Sequence, residues 1–520
     1  MKQPMATIQT TPRIQQPPRR RRRRVVMLLL LVGIGLGFGF YLFMWTTGGL
    51  RLENAIAEAD RLDPGWRFDD LEAARRPYLP PDKDGMEQVQ RIKAAKPKPW
   101  PDWPFPEAAS DPARLTLLRT QMSESLESNQ RNLTLLNAEQ ERVLRSELGR
   151  ATEAIALARQ LPAYPYGRFD IKWSKDFVST LLPHVQNARE VTWLLCFDGL
   201  LRAHDNDIAG ALNNVRASLY ASRAVGDEEI VISQLVRLAC DRTAVHLLEQ
   251  SLACGRAPDD RLADLQRELL EEAQTPFFLI GIRGERACFD QLLERVQNGE
   301  IGFRAFRDIL LNARFYGPVL GTRRPSNDLN FELETLRTYL SIRSERARQL
   351  HYLNSLVSYA KLPSWECLNL IEAETNKQAG EPSVVAALFC YSIKFQHLDL
   401  QTRAKLRTAC TALALERFEM ANKRWPATLA ELTPKFLPEI PLDPFDGQPL
   451  RLATSDTGVV VYSVSLDKED QHGTQLTDPL ATGSDISFQL LDPAKRRQPG
   501  KPFPKVSSAS ATPPPAKMKR

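Results

Sequence analysis

ANKRWPATLAELTPKFLPEIPLDPFDGQPLRLATSDTGVVVYSVSLDKED, residues 421–470, is where a helical chain turns into a short β-rich one. Just upstream, Leu406, Cys410, Leu413, Ala414, Phe418 and Ala421 recur at helical spacing, with Arg403, Lys405, Arg407, Glu416 and Glu419 off that stripe. The pattern predicts an amphipathic helix with one docking face. It should stop near Lys423, because Trp425 precedes Pro426 and a residue before proline is pushed out of the α region. A short helical turn over 428–432 follows, and Pro434, Pro438, Pro441 and Pro444 keep the next stretch irregular. Val459, Val461 and Ser463 alternate with Val460, Tyr462 and Val464, so this strand carries apolar side chains on both faces and should be covered on both.

From about residue 398 to 492 the chain resembles the C-terminal domain of the type II secretion pseudopilins, in the manner of the major pseudopilin. The resemblance is carried by three pieces: the helix leading into Trp425-Pro426, where the family usually has Tyr-Pro; the Pro441-Leu442-Asp443-Pro444-Phe445 turn with Gly447; and the Tyr462-Ser463-Val464 strand followed by Asp467 and later Asp485-Ile486. It implies a small α/β module that works outside the inner membrane by packing against other proteins. It also implies that Asp467 and Asp485 are calcium candidates. The glycines that flank the first aspartate in the family are here Ser465 and Lys468, and a lysine repels a divalent cation. The competing reading is a solvated acidic loop of Asp467, Glu469, Asp470 and Asp485.

The other end departs from that family. It carries neither a prepilin peptidase site nor a glutamate near the start of an apolar helix. Instead Arg19, Arg20, Arg21, Arg22, Arg23 and Arg24 abut a charge-free run from Val25 to Trp45. At helical rise that run covers about 30 Å, the hydrocarbon thickness of a bilayer. A membrane anchor is expected at 25–45, with the arginines holding residues 1–24 in the cytoplasm and everything after Trp45 outside. Ala55-Ile56-Ala57 resembles a cleavage site, but the apolar run is too long and too distant for a signal peptide. Gly33, Gly35, Gly37 and Gly39 make two GxxxG pairs, through which two anchors can associate.

Of the formal net charge of +6, eight basic residues lie in 1–24 and eight more after Asp492, leaving the stretch between them at −10. The basic balance therefore offers no nucleic-acid-binding face on the folded part. Residues 493–520, rich in Pro, Lys, Ser and Ala, read as a disordered basic tail.

Between the ends, 46–110 reads as juxtamembrane helices at 52–62 and 69–75, followed by KPKPWPDWPFP (96–106), a polyproline II brace packed on the next domain. Residues 111–397 are helical in pattern. Asp207 caps a helix with Leu212, Val215 and Leu219 on one face; Gly226-Asp227 separates it from a second with Val231, Leu235, Leu238, Val245, Leu248 and Leu252 in a stripe, ended by Gly255 and Pro258. These antiparallel hairpins look like degenerate tetratricopeptide units, although no clean repeat emerges, and an irregular bundle is equally permitted.

Chemistry is sparse. The six histidines, His184, His204, His246, His351, His397 and His472, show no metal-ligand spacing, and His204 beside Asp205 and Asp207 sits where helix caps are expected. The seven cysteines lie mostly in helical apolar patterns without a CxxC and read as buried free thiols, with an odd count that leaves at least one unpaired. The expected architecture is mainly α: a transmembrane helix, a large helical bundle or solenoid-like domain, and a small α/β module. The expected role is a single-pass bacterial inner-membrane protein that docks periplasmic envelope proteins, with no enzymatic activity and, calcium aside, no cofactor. The alternative from another class is an envelope enzyme whose active site is assembled within the helical domain.

Overall fold

The computed structural model describes residues 19–97, 133–313, 329–379, 385, 392–476, 478 and 480–500. The KPKPWPDWPFP brace, apart from Lys96 and Pro97, lies outside them, as do residues 1–18 and 501–520. The protein is mainly helical, with one long apolar N-terminal helix and a small C-terminal sheet of three strands.

Helix α1 runs without a break over Arg19–Leu62. The anchor expected at 25–45 and the juxtamembrane helix expected at 52–62 are thus one rod, about 66 Å long at helical rise. Thr46-Thr47-Gly48-Gly49 is a poor helix former, and the Thr46 and Thr47 hydroxyls donate back to the carbonyls of Leu42 and Phe43 at 3.0 and 2.8 Å, yet the helix runs on because its next turns pack into the body. The rod ends where Pro64 and Gly65 follow, the glycine at φ +75°. Short helices α2 (Phe68–Ala74), α3 (Gly85–Ala95), α4 (Ala138–Arg150) and α5 (Thr152–Ala158) lead into the body.

Helices α6 (Pro183–His204), α7 (Ile208–Arg223) and α8 (Val231–Cys254) pack against one another. The Asp207 carboxylate accepts from the Gly210 amide at 2.9 Å and caps α7, and Gly226 at φ +83° makes the turn toward α8. The remaining helices among the described residues are α9 (Asp259–Glu272), α10 (Phe277–Gln297), α11 (Phe303–Ala313), α12 (Leu329–Leu340), α13 (Ile342–Ala360), α14 (Ser364–Ala379) and α15 (Ser392–Asn422).

α15 ends one residue before Lys423, which takes φ +58°, and a 3-10 turn follows at Leu429–Leu432. Strands β1 (Arg451–Ser455), β2 (Gly458–Ser463) and β3 (Ile486–Leu491) form an antiparallel sheet in the order β1-β2-β3. The central strand β2 is buried along its whole length, as its two apolar faces require. One face packs on α15, and the free edge of β3 is met by Glu249 of α8, which accepts from the Gln489 amide at 2.7 Å.

A boundary drawn at 397/398 falls inside α15. One continuous hydrophobic core joins Leu194, Leu219 and Leu248 of the helical body to Leu406, Leu413 and Phe418 of α15 and to Val459, Val461 and Phe488 of the sheet. The basic tail also begins differently from the expectation of a disordered segment from 493. Arg496 is 8% exposed and binds the Leu491 and Gly255 carbonyls, while the Arg497 amide donates to the Ala253 carbonyl at 3.0 Å. The composition that argues for disorder is overridden there by carbonyls and carboxylates of the body that need donors.

Candidate functional site

Two regions gather the residues that sequence reasoning singled out: the place where α1 enters the body, and the loop between β2 and β3.

α1 changes character along its length. The side chains of the apolar stretch from Val26 to Phe38 are not covered: Leu30 and Phe38 are each 61% exposed. This is the part of α1 long and apolar enough to cross a membrane. Beyond Gly48 one face becomes core: Leu52, Ala55 and Ala59 are buried, and the two alanines pack with Trp66 and Leu350. α13 lies along this second half, and at the crossing a Cβ on Gly48 would sit 3.1 Å from the Ser344 amide nitrogen, so the small residue permits close approach. Next to it the Arg343 guanidinium stacks on the Trp45 ring, 3.7 Å from its centroid.

The far end of α1 is locked by charge. Asp63, at 8% exposure, accepts from Arg283 at 2.8 Å and from Arg286, and Lys361 lies 3.5 Å away. Burial pushes the Asp63 carboxyl up, but the hydrogen bond from Arg283 and the charges of both arginines more than offset it and hold it below its usual range. Arg286 is itself fully buried against the Trp66 ring.

Gly33, Gly35, Gly37 and Gly39 have nothing within 4 Å of an added Cβ, so both GxxxG pairs face open space. Arg19 to Arg24 form the first turns of α1, and Arg24 is exposed.

In the β2–β3 loop, Ser465 and Lys468 adopt φ +63° and +57°, the left-handed conformation that glycine takes most easily, so the backbone keeps the shape that the flanking glycines would give it. Asp467 and Asp485 use their oxygens on the loop itself. Asp467 accepts from the Gly483 amide at 2.7 Å, the Glu469 amide at 3.2 Å and the Gln471 side chain at 3.2 Å. Asp485 is fully buried and accepts from the Gly473 amide at 2.7 Å through one oxygen. Its other oxygen, Oδ1, and the Gln471 Oε1 are buried without a hydrogen-bond partner. Burial, and after it the nearby Asp470 and Asp467 charges, push the Asp485 carboxyl up to about 6.

Calcium takes six to eight oxygens. Among the described residues only these two side-chain oxygens of the loop are buried and uncommitted, and no group of three or more His, Cys, Asp or Glu side chains gathers as metal ligands. The side chains present fit hydrogen bonding within the loop better than a calcium cage.

The Pro441–Phe445 turn is tied to this loop by Asp443. Fully buried, it accepts from the Ser463 hydroxyl and the Val464 amide, both at 2.8 Å, and from the Phe445 amide at 3.0 Å. Gly447, at φ +74°, lies against the Trp365 indole of α14, where a Cβ would fall 2.8 Å from the ring.

The histidines are dispersed. His184 is fully buried, stacked on Phe169 and 2.7 Å from Glu228, which also accepts from Ser233 at 2.6 Å. Beside this cluster Glu229 is pushed up to about 7, chiefly by burial, but the adjoining cavity holds only about 10 Å³, room for a water and no substrate. His204 faces Glu141 at 3.4 Å at the end of α6, and burial lowers His246 to about 4.

Sequence reasoning missed three features: the unbroken passage of α1 into the body, the docking of Arg496, and a groove of about 1380 Å³ between α1, α12 and α13. The one available signal was the leucine spacing in α12. No family model, curated protein or solved structure matches this chain.

Proposed function

We propose that this chain is a single-pass protein of a bacterial inner membrane, with its N-terminus in the cytoplasm, that holds a rigid docking body at the periplasmic surface. The observation that carries the reading is α1, one helix that is lipid-compatible over its first half and part of the core over its second. Ala55-Ile56-Ala57 lies inside the packed half, with Ala55 buried, which favours an uncleaved anchor.

We read the body as an irregular bundle. α15 packs at once on α8, α9, α14 and the sheet, whereas a solenoid repeat contacts only its neighbours. The pseudopilin-like module is the recognition element in this reading, and its role in a secretion or pilus-type assembly rests on the resemblance of 398–492 alone.

Deleting the module would strip the shared core, so the test keeps the chain whole. A photoreactive residue is placed at exposed Lys468 or His472 in the loop, and at exposed Arg142 on the body. Discrete adducts with envelope proteins from the loop positions are expected in intact cells. Adducts from Arg142 alone, or from no position, overturn the assignment of docking to the module.

A further inference from the structure

We infer that α12 is a second membrane-contacting element, and that the groove between it and α1 holds a phospholipid of the leaflet facing the body. This rests on the reading of α1 as a membrane span.

α12 leaves an apolar stripe uncovered. Leu329, Leu333, Leu336 and Leu340, at helical spacing, are 73%, 55%, 42% and 53% exposed, whereas the buried side places Thr335 at 0% and Thr338 at 6% beside Phe331 at 4%. Water on the leucine face would leave unused the apolar area that normally drives burial, and the threonines gain little in return: the Thr335 hydroxyl has no partner. Hydrocarbon reverses that balance.

The position of the helix supplies the hydrocarbon. Leu333, Leu336 and Leu340 line the groove together with Gly37 and Met44, which belong to the apolar half of α1. Gly37 lies about 16 Å along α1 from Gly48, where α13 crosses, and α12 is about 18 Å long. α12 therefore reaches from the crossing back along the span, and a groove with the span as one wall lies at bilayer depth.

The other end of the groove is polar. Arg51 and Arg61 line it, and no side-chain hydrogen bond or ion pair to protein engages them among the described residues. Of the carboxylates there, Glu58 is engaged by His351 at 2.8 Å and Asn354 at 3.2 Å and Glu345 by Arg348, while Glu334 lines the α12 wall three residues before Arg337, with opposite charge. Apolar walls below and guanidinium groups above match an acyl chain and a phosphate. The volume exceeds the range of about 300–1,000 Å³ usual for compact small-molecule pockets, as a long ligand requires.

The full chain is reconstituted in vesicles of phosphatidylethanolamine and phosphatidylglycerol, with a single fluorescent label at Leu30→Cys, Leu333→Cys or Lys435→Cys. Nitroxide-bearing lipids quench from within the bilayer and iodide from water. Lipid quenching at 333 as strong as at 30, with iodide dominating at 435, is the expected result. Quenching at 30 without quenching at 333 leaves the span intact and overturns the inference, whether iodide reaches 333 or a second copy shields it. Lipid quenching at neither site overturns the span reading and the inference with it. For the groove itself, native mass spectrometry of the detergent-purified chain should show less retained phospholipid in R51E/R61E than in the unaltered chain. Equal retention overturns the groove as the lipid site.

Discussion

Glu416, wholly buried within α15, accepts hydrogen bonds of 2.8 and 2.6 Å from the guanidinium of Arg496, a residue that follows the last strand. The pair closes the sheet onto the helical body. Removing Arg496 leaves Glu416 buried with only the Arg256 Nε, 3.6 Å away, so the cost should lie at the low end of about 3–5 kcal/mol. R496M should lower the chemical-denaturation midpoint accordingly, as should a chain ending at Asp492. A chain ending at Gly500 should keep the midpoint, and E416Q/R496M should recover part of the loss.

Two glycines should respond in opposite directions to alanine. At Gly284 in α10 a Cβ would run into the Glu229 carbonyl oxygen, so the helix must shift, at a cost of about 3 kcal/mol. Gly149 in α4 has nothing within 4 Å, and alanine there should stabilise by about 0.5–1 kcal/mol through helix propensity. Unfolding curves of G284A and G149A check both signs.

The Asp485 carboxyl, raised from 3.8 to about 6 by burial, holds its proton more tightly folded than unfolded. Its contribution to stability is complete below 3.8 and is lost as pH rises through about 6. D485N should therefore gain stability relative to the unaltered chain across that window and hold the gain above it. Calcium binding would oppose this trend by favouring the ionised carboxylate, so the same comparison with calcium added reads out the metal.

Thiol labelling should report packing. Cys196, Cys240, Cys254, Cys367 and Cys410 are buried and Cys288 partly so, all as free thiols, and burial pushes Cys240 and Cys410 up to about 12. These six should resist maleimide in the native chain and react together in denaturant, as counted by intact mass. Rapid native labelling of any of the six would contradict the packing described.

Legibility in the sequence followed locality. The end of α15 could be placed because the clash of Pro426 with Trp425 acts between neighbours, and the buried strand β2 because its alternation is written in consecutive residues. The continuity of α1 could not, since Thr46 to Gly49 look like a break and the compensation comes from packing on α13, far along the chain. Arg496 was hidden for the same reason: it sits in a Pro- and Lys-rich context, and its partner is 80 residues away. In the β2–β3 loop the residue types pointed to carboxylates, but only geometry distinguishes an oxygen bound to an amide from one left free.

A helix without a joint between its apolar half and the body has a mechanical consequence. Bilayers thinner or thicker than the apolar stretch are accommodated in part by tilting the span. With α1 spanning the bilayer as proposed, its unbroken helix hands any such tilt to the body packed on its second half, and the loop carrying Asp467 swings with it. On the proposed reading the chain is a lever whose fulcrum is the membrane, and the angle at which its body stands varies with lipid thickness.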